Sequence, residues 1–483
     1  MPAGFVPRRV PTAADRHLLT RFSYGVTPEL VDRAYVAGSA RRWFERQLTP
    51  ATIPDQRAGA MRSWFPYLDK TPQQLWAANI DGVREGWEVG ADLQRWTLLR
   101  RAFSTRQVHE QMTEFWSNLL HVQAPNGKAW PFRSDYDTTV RKHALGRFDD
   151  MLVACVLHPS MGCYLDNAQS TAVDLNENLG REVLELHTVG IDAGYTEAQV
   201  VQSARILTGW RVDERKTWDV YYSEADHSTG PVQLLGFNEA NASRDGRELS
   251  GRYLRHLARH PATATRVARR LCTRFINDAP STAVVAHVAQ AFTQSGTDIK
   301  ATLRALISHP EFATSIGAKT RTPTDDAVAT IRAVGVAPQR PVKLDDFANA
   351  FVFQVGNMGQ QPFDWPRPDG FPDVADAWTG VSRMIGSWQA HWQLAGGFYP
   401  SGAATYRSHV QWLPTLPVTF GELVDDVSRR LLARPATAKL KRAATAYTGI
   451  QPAERISKPS DISEYRLVKL VTVVLDTPAH MSR

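Results

Sequence analysis

The hydrophobic pattern of this chain is helical along nearly its whole length. Residues 197–209 follow a capping box, and β-branched alternation is scarce, with residues 218–222 as its best example. Apolar side chains at helical spacing occupy one face of residues 105–121: Val108, Met112, Phe115, Trp116 and Leu119. The sequence therefore predicts a mainly α fold, a large all-α helical domain with long ordered loops and at most one short β-hairpin near 218–236.

Three His-Pro pairs interrupt the helical pattern. Proline disfavours helix at the residue before it and fits the first turn of a new helix. The prediction is that each proline begins a helix and that each histidine ends the preceding one, where it faces the negative end of the dipole. The alternative is that these histidines are ligands or catalysts. The pairs are His158–Pro159, His260–Pro261 and His309–Pro310.

Composition excludes several classes of protein. With 483 residues, 43% of them hydrophobic and 22% charged, the chain can bury a large core and is neither disordered nor a rod. The net charge is +7, but the excess is arginine spread along the chain, so we expect no nucleic-acid partner. The three cysteines have neither disulfide nor zinc-site spacing.

The sequence also carries predictions about location. No apolar run approaches the roughly 20 residues that span a bilayer. The first residues lack the apolar segment of a secretion signal. Both observations predict a cytoplasmic protein without membrane insertion.

Turn-forming residues gather in three places. Residues 317–325 predict a linker between an N-terminal helical region, 1–316, and a C-terminal region, 317–483, although one continuous domain is equally compatible. Residues 212–250 form a polar excursion. Residues 356–380 are rich in Gly, Pro and Trp, and their aromatic content predicts a packed, ordered loop of the functional kind.

The segment 174–188 contains the best candidates for chemistry. At helical spacing, Asn178, Arg181, Glu182 and Glu185 share one arc of the helix. Two neighbouring carboxylates with an arginine and an asparagine can share a proton or hold a divalent metal. The alternative is an ordinary solvated face. We predict Glu182 and Glu185 as catalytic and Asn178 and Arg181 as substrate-binding.

Two further candidates lie in turns. His227, in the polar excursion, has the chemistry of a general base, but a loop histidine can equally be merely exposed. Asp166 follows a short helical segment and is predicted to bind substrate, with a helix C-terminus as the alternative. The 14 tryptophans can stack on sugars or fill the core. Common hydrolase and nucleotide-binding motifs are missing.

At the acidic helix the chain resembles a large bacterial family called Domain of Unknown Function 1800 (DUF1800). The resemblance rests on residues 176–197 and 204–210 and covers nearly the whole chain. The family's His after Phe-Trp-x-Asn is Leu119 here, and the nearest histidine is His121. Further matching segments are 17–25, Phe115–Asn118, 141–148, Asp226–His227, 260–264, and 359–373 with Trp378.

The resemblance affects which of the predicted site residues are favoured as functional. Because a motif rich in Asn, Arg and Glu characterises the family, a functional acidic helix becomes the favoured interpretation. Asp373 and Trp378, in the C-terminal motif, are predicted to bind substrate. Family members are often neighbours of a family with a sulfatase-like fold and a twin-arginine export signal. That implies a candidate partner, and co-export with it as an alternative to a cytoplasmic location.

Two hypotheses remain open. The first is an enzyme, with a divalent metal as a candidate cofactor, that acts on a polar or carbohydrate-like substrate. The second is a non-catalytic, helical binding or chaperone-like partner of a sulfatase-fold protein, docking through residues 356–380. An enzyme requires Glu182 and Glu185 with His227, Asp166 or Asp373 around one pocket. A binding protein requires a broad apolar patch.

Overall fold

A computed structural model describes residues 5–124 and 127–483, and helices dominate it. In the first two thirds of the chain the α-helices are α1 (Ala13–Arg21), α2 (Pro28–Ala37), α3 (Ala40–Gln47), α4 (Gln56–Ala60), α5 (Pro72–Ile80), α6 (Gly86–Phe103), α7 (Gln107–Leu119), α8 (Arg133–His143), α9 (Phe148–Val156), α10 (Pro159–Tyr164), α11 (Asn178–Glu182), α12 (Glu197–Ile206), α13 (Arg247–Arg259), α14 (Pro261–Phe275), α15 (Thr282–Gln294), α16 (Ile299–Ser308) and α17 (Pro310–Thr314). The last third contributes α18 (Pro323–Val334), α19 (Phe347–Asn357), α20 (Val381–Gly396), α21 (His409–Trp412), α22 (Phe420–Leu432), α23 (Ala438–Thr448), α24 (Glu464–Leu475) and α25 (Pro478–Met481).

Short antiparallel strand pairs accompany the helices. The prediction of a mainly α fold is confirmed. The prediction of at most one hairpin is wrong, because residues 210–239 alone form two. The second closes at Leu235 and Gly236, whose φ angles of 48° and 81° suit the tight turn that matches strand twist. The pairs are β1 (Trp210–Val212) with β2 (Val220–Tyr222), β3 (Val232–Leu234) with β4 (Phe237–Glu239), β5 (Ala337–Pro338) with β6 (Ala404–Thr405), and β7 (Val418–Thr419) with β8 (Arg455–Ile456).

The strongest helix predictions are confirmed. Helix α7 lies within the predicted span, and all five of its apolar stripe residues are buried. Helix α12 begins at the predicted capping box, where the Thr196 N–H donates to Gln199 Oε1 at 3.0 Å. Amphipathic spacing and local capping are therefore sufficient to define these two helices.

The buried apolar side chains form three clusters. One joins α1–α3 to α7–α17, and a smaller one surrounds the first half of α6. The third packs α18–α24 together, but it also includes Tyr24, Leu98 and Ala102 from the N-terminal region. The division into 1–316 and 317–483 stays a prediction. The three cysteines are buried and unbridged, and no helix among the described residues is long and apolar enough to cross a membrane.

The His-Pro junctions are confirmed, with one correction. Pro159, Pro261 and Pro310 are each the first residue of a helix. His260 and His309 end the preceding helices as predicted, whereas the C-cap of α9 is Leu157, one residue before His158. The histidine ring, however, caps the new helix and does not face the end of the previous one. In each case Nδ1 accepts a backbone N–H two residues on, at 3.1–3.3 Å. The ring therefore acts as a neutral N-cap acceptor, because only an unprotonated nitrogen can accept.

Replacing one of these caps is expected to lower stability measurably. His260→Ala should reduce the free energy of unfolding by about 1 kcal/mol, the usual value of an N-cap, and His260→Asn should restore most of it. Burial and nearby His256 lower the pKa of His260, which keeps its ring neutral at pH 7. Urea unfolding at pH 7 measures the difference. The control is His287→Ala, which replaces an exposed histidine within α15. Equal stability of His260→Ala and the parent would contradict the N-cap role of His260.

Candidate functional site

The acidic helix is short and irregular. Helix α11 continues as a π-helical turn over Val183–His187, a distortion often found at functional sites. Close packing explains its position: a Cβ added to Gly180 would lie 2.6 Å from the backbone nitrogen of Ala204 in α12. The Ser203 hydroxyl of α12 also donates to the Gly180 carbonyl at 2.9 Å. The predicted face is therefore held at a fixed distance from α12.

The four predicted residues of this face are half-buried. Arg181 reaches Glu177 at 3.3 Å, Glu185 at 3.7 Å and Glu197 at 2.6 Å. Its side chain is 31% exposed, and that of Glu197 is 77% exposed. Partial exposure screens these pairs, so each contributes little to stability. Asn178 begins the helix, with its N–H donating to the side chain of Asn176 at 2.9 Å.

Glu182 differs electrostatically from the other acidic residues of the helix. Burial raises its pKa, and neighbouring Glu185 and Asp369 raise it further. Burial, Glu182 and Asp369 also raise the pKa of Tyr164 to about 12. Glu182, Tyr164 and Asp369 thus form one cluster, although they are distant in sequence. A carboxyl group with a raised pKa can hold a proton closer to neutral pH, as a general acid requires.

The C-terminal motif folds into an ordered loop, here called the motif loop, residues 359–378. His121 donates from Nε2 to the Trp365 carbonyl at 2.9 Å, and Trp378 donates from Nε1 to the Pro372 carbonyl at 2.9 Å. Trp378 is only 8% exposed. Its indole therefore braces the loop, and the aromatic side chains of the loop are mostly turned inward rather than offered as a docking surface.

Helices α7 and α14 enclose a pocket with the motif loop. This motif pocket has a volume of about 230 Å³. A Cβ on Gly370 would lie 2.1 Å from the Asn118 carbonyl, so this position (φ +71°) requires glycine. A wider hollow of about 620 Å³ lies near residues 62–73, but no predicted site residue lines it. The walls of the motif pocket include Phe115, Asn118, Arg270, Thr273, Phe371 and Asp373.

Three charged residues line the motif pocket: Arg270, Arg274 and Asp373. Arg270 makes no direct hydrogen bond or ion pair within the described part of the chain. Burial lowers its pKa, and the nearby charges of Asp373 and Asp369 oppose that shift. Asp373 is opposite in character. Burial alone would raise its pKa, but Arg274, Lys319 and Arg483 lower it to about 2. Asp373 is therefore a permanent anion held by cations, while Arg270 retains unused donors.

The remaining predicted residues lie elsewhere. His227 is buried, with Nδ1 near the Thr208 carbonyl at 3.1 Å and Nε2 near Asn241 Oδ1 at 3.0 Å, and neither partner belongs to the acidic helix. Asp166 adopts a left-handed conformation (φ 60°) after α10 and pairs with Lys128. Asp373 lines the motif pocket, whereas Glu182 and Glu185 do not line it. Glu182 is linked to the pocket through Asp369, which also acts on Arg270.

A second polar cluster was not predicted. Asp326 Oδ1 lies 3.2 Å from His391 Nε2 and 3.7 Å from His480 Nε2, and all three side chains are buried. His391 Nδ1 in turn contacts Asp476 Oδ1 at 2.8 Å. Against the effect of burial, these two aspartates raise the pKa of His391 to about 9. These are the residues of the described chain that best match a metal ligand set.

The fold and the pocket together describe the class of protein: it is rich in helices, and residues from separate sequence motifs line one pocket. The Phe-Trp-Ser-Asn motif and the C-terminal motif line the pocket, and the acidic helix lies close by. The family model described as "Protein of unknown function (DUF1800)" matches residues 17–482, and the chain belongs to that family. Comparison with curated proteins and with solved structures gave no match.

Sequence reasoning missed several residues of these sites. Asp369 lies within the recognised C-terminal motif and could have been selected with Asp373. Arg270 follows the recognised 260–264 segment by two helical turns, but a single arginine among many carries no signal. The pair Asp325–Asp326, just after a Thr-Pro helix start, resembles ordinary N-terminal acidic residues. Only the folded chain shows that both are fully buried.

The charge on Asp373 is expected to stabilise the fold above pH 4. Its folded-state pKa of about 2 lies below the unfolded value of about 3.9, so the stabilisation is complete above pH 4 and is lost as the pH falls through 2. Asp373→Asn should lower the free energy of unfolding by about 2 kcal/mol at pH 6. It should also weaken the dependence of that free energy on pH between about pH 2 and 4. Urea midpoints between pH 2 and 6 measure it, with exposed Asp376→Asn as the matched control. If the midpoints of the parent and of Asp373→Asn changed in parallel with pH, the stabilising role of the Asp373 charge would be refuted.

Proposed function

We propose that this chain is an enzyme that binds a polar substrate carrying a negative group, such as an acidic sugar, in the motif pocket. The observation that carries the proposal is Arg270, a half-buried guanidinium on the pocket wall without a partner among the described residues. Buried cations are normally paired, and a planar guanidinium matches a carboxylate, sulfate or phosphate group.

The other walls suit the remainder of such a substrate. Phe115 and Phe371 offer apolar ring faces, and Asn118 and Thr273 offer polar groups to hydroxyls. Asp373, on the motif loop, adds a fixed negative charge opposite the α14 wall. A negative group therefore binds best at the Arg270 side, which orients the substrate.

Glu182 does not line the motif pocket, so it is the proposed general acid and base for a substrate long enough to extend from the pocket to the acidic helix. Its raised pKa distinguishes it from an ordinary surface carboxylate, and the cluster with Asp369 connects it electrostatically to Arg270. Glu185 acts by raising the pKa of Glu182, whereas the guanidinium of Arg181 lowers it. His227 takes no part in this scheme, because both of its ring nitrogens have partners in the polar excursion.

Removing the Glu182 carboxylate should abolish turnover without abolishing binding. A panel of acidic, sulfated and phosphorylated sugars is incubated with the parent, and products are detected by mass spectrometry. We expect Glu182→Gln to lower turnover by about 10²–10⁴-fold, the usual contribution of a general acid or base. Arg270→Ala should weaken binding instead, as measured by calorimetry.

Glu197→Gln is the matched control, because Glu197, like Glu185, contacts Arg181 but is exposed to solvent. It should leave turnover unchanged. Unchanged turnover in Glu182→Gln, or no change in binding in Arg270→Ala, would contradict the assignment.

A specific observation also favours the second candidate, a partner-binding role. Val381, Ile385 and Trp388 lie at i, i+4 and i+7 on α20 and are 75%, 56% and 45% exposed. Phe353 on α19 is 52% exposed. An apolar stripe of this kind is typical of a protein-binding surface. It lies beside the motif loop, but not on it.

The neighbour with a sulfatase-like fold, implied by the family resemblance, is the partner to test. Trp388→Ser should weaken co-purification of the two proteins at least tenfold, with Tyr465→Ser, another exposed aromatic, as the control. Unaltered co-purification with Trp388→Ser would exclude this surface.

A further inference from the structure

We propose that Asp326, His391 and His480 bind one first-row divalent transition metal ion, with zinc as the best chemical fit. The site is separate from the motif pocket and does not depend on the proposed function. It brings together one residue from α18, one from α20 and one from α25. Two imidazole nitrogens and one carboxylate oxygen form a ligand set that such ions prefer.

The distances agree with a shared ion. Two atoms that each lie 2.0–2.2 Å from zinc at a tetrahedral angle are separated by about 3.4 Å. Asp326 Oδ1 is 3.2 Å from Nε2 of His391 and 3.7 Å from Nε2 of His480. One ligand atom from each of the three residues lies within 4.8 Å of the others. A small closure of the two rings would complete the geometry.

The surrounding residues hold His391 and Asp326 in a binding orientation. His391 directs Nε2 inward because its Nδ1 contacts Asp476 Oδ1 at 2.8 Å, the carboxylate–histidine arrangement common around metal sites. Arg383 contacts Asp326 Oδ2 at 3.4 Å, which leaves Oδ1 for the ion. Thr330 Oγ1 lies 3.0 Å from His480 Nε2, so this hydroxyl must turn away from the nitrogen when a metal binds there.

A cavity borders this buried site on one side. Asp326 is fully buried and His391 is 1% exposed, but His480 lines a cavity of about 100 Å³. Four arginines line the same cavity: Arg16, Arg321, Arg434 and Arg483. His480 is therefore the one of the three ligands that borders this cavity, and the cavity is lined with cationic side chains.

Without a metal, the same residues form a buried ion pair network in which protonated His391 bridges Asp326 and Asp476. That network is the alternative outcome of the experiment. The metal site and the metal-free network can be distinguished by experiment, because only the metal site binds one equivalent of ion through two histidines.

The test uses the full-length protein. The parent, freed of metal with a chelator, is titrated with Co²⁺ and Zn²⁺, and Mg²⁺ is the comparison ion. We expect one Co²⁺ per chain with visible d–d bands, displacement by Zn²⁺, and no competition from Mg²⁺. His391→Ala and His480→Ala should lose the bands, whereas exposed His287→Ala should keep them. Asp476→Asn, which removes only the positioning contact, should weaken affinity about 10–100-fold.

A measurement on the parent alone covers the case in which the variants fail to fold. X-ray absorption of the zinc-loaded parent should show two imidazole ligands and no sulfur. A shell of oxygen alone would place the ion elsewhere, for example at the acidic helix, and overturn the proposal. Absence of a one-to-one complex in the parent, or d–d bands that persist in His480→Ala, would also overturn it in favour of the metal-free network.

Discussion

Pairing of the buried charge on Arg274 constrains the arrangement of the whole molecule. This arginine of α14 contacts Glu114 of α7 at 2.8 Å, Asp325 of α18 at 3.4 Å and Asp373 of the motif loop at 3.3 Å. A buried charge that loses its partners costs several kcal/mol, so these four elements can only be placed together. The network crosses the predicted seam at residue 317. It therefore ties the C-terminal region to the N-terminal helices more specifically than apolar packing could.

Helix α18 connects this network to the second polar cluster. Its consecutive residues Asp325 and Asp326 are both fully buried and face different partners: Asp325 faces Arg274 and Arg483, whereas Asp326 faces His391 and His480. Neighbouring residues on a helix point about 100° apart, which is why one helix can serve two polar clusters. Helix α18 thus contacts Arg274, which lines the motif pocket, and also supplies Asp326 to the proposed metal site.

The comparison of α7 with the polar excursion shows where sequence reasoning succeeds. Helix α7 was predictable because its apolar period and its burial agree. The hairpins of residues 210–239 were undercounted because each strand has only three residues, too few to display an alternation. The His-Pro junctions were located correctly, and His260 and His309 do end the preceding helices, but the predicted interaction of the ring with the helix dipole was wrong. Position along the chain does not reveal which side of a junction the ring faces.

The sequence alone determined the helical class, the proline boundaries and the family, because these depend on spacing between residues close in the chain. It also pointed to Glu182 and Asp373, but not to what surrounds them. Only the tertiary structure decided that Arg270 lacks a partner among the described residues, that Asp369 approaches Glu182, and that Asp326 meets two histidines. Charge pairing and pKa depend on burial and on neighbours from distant segments, and those exist only once the chain has folded.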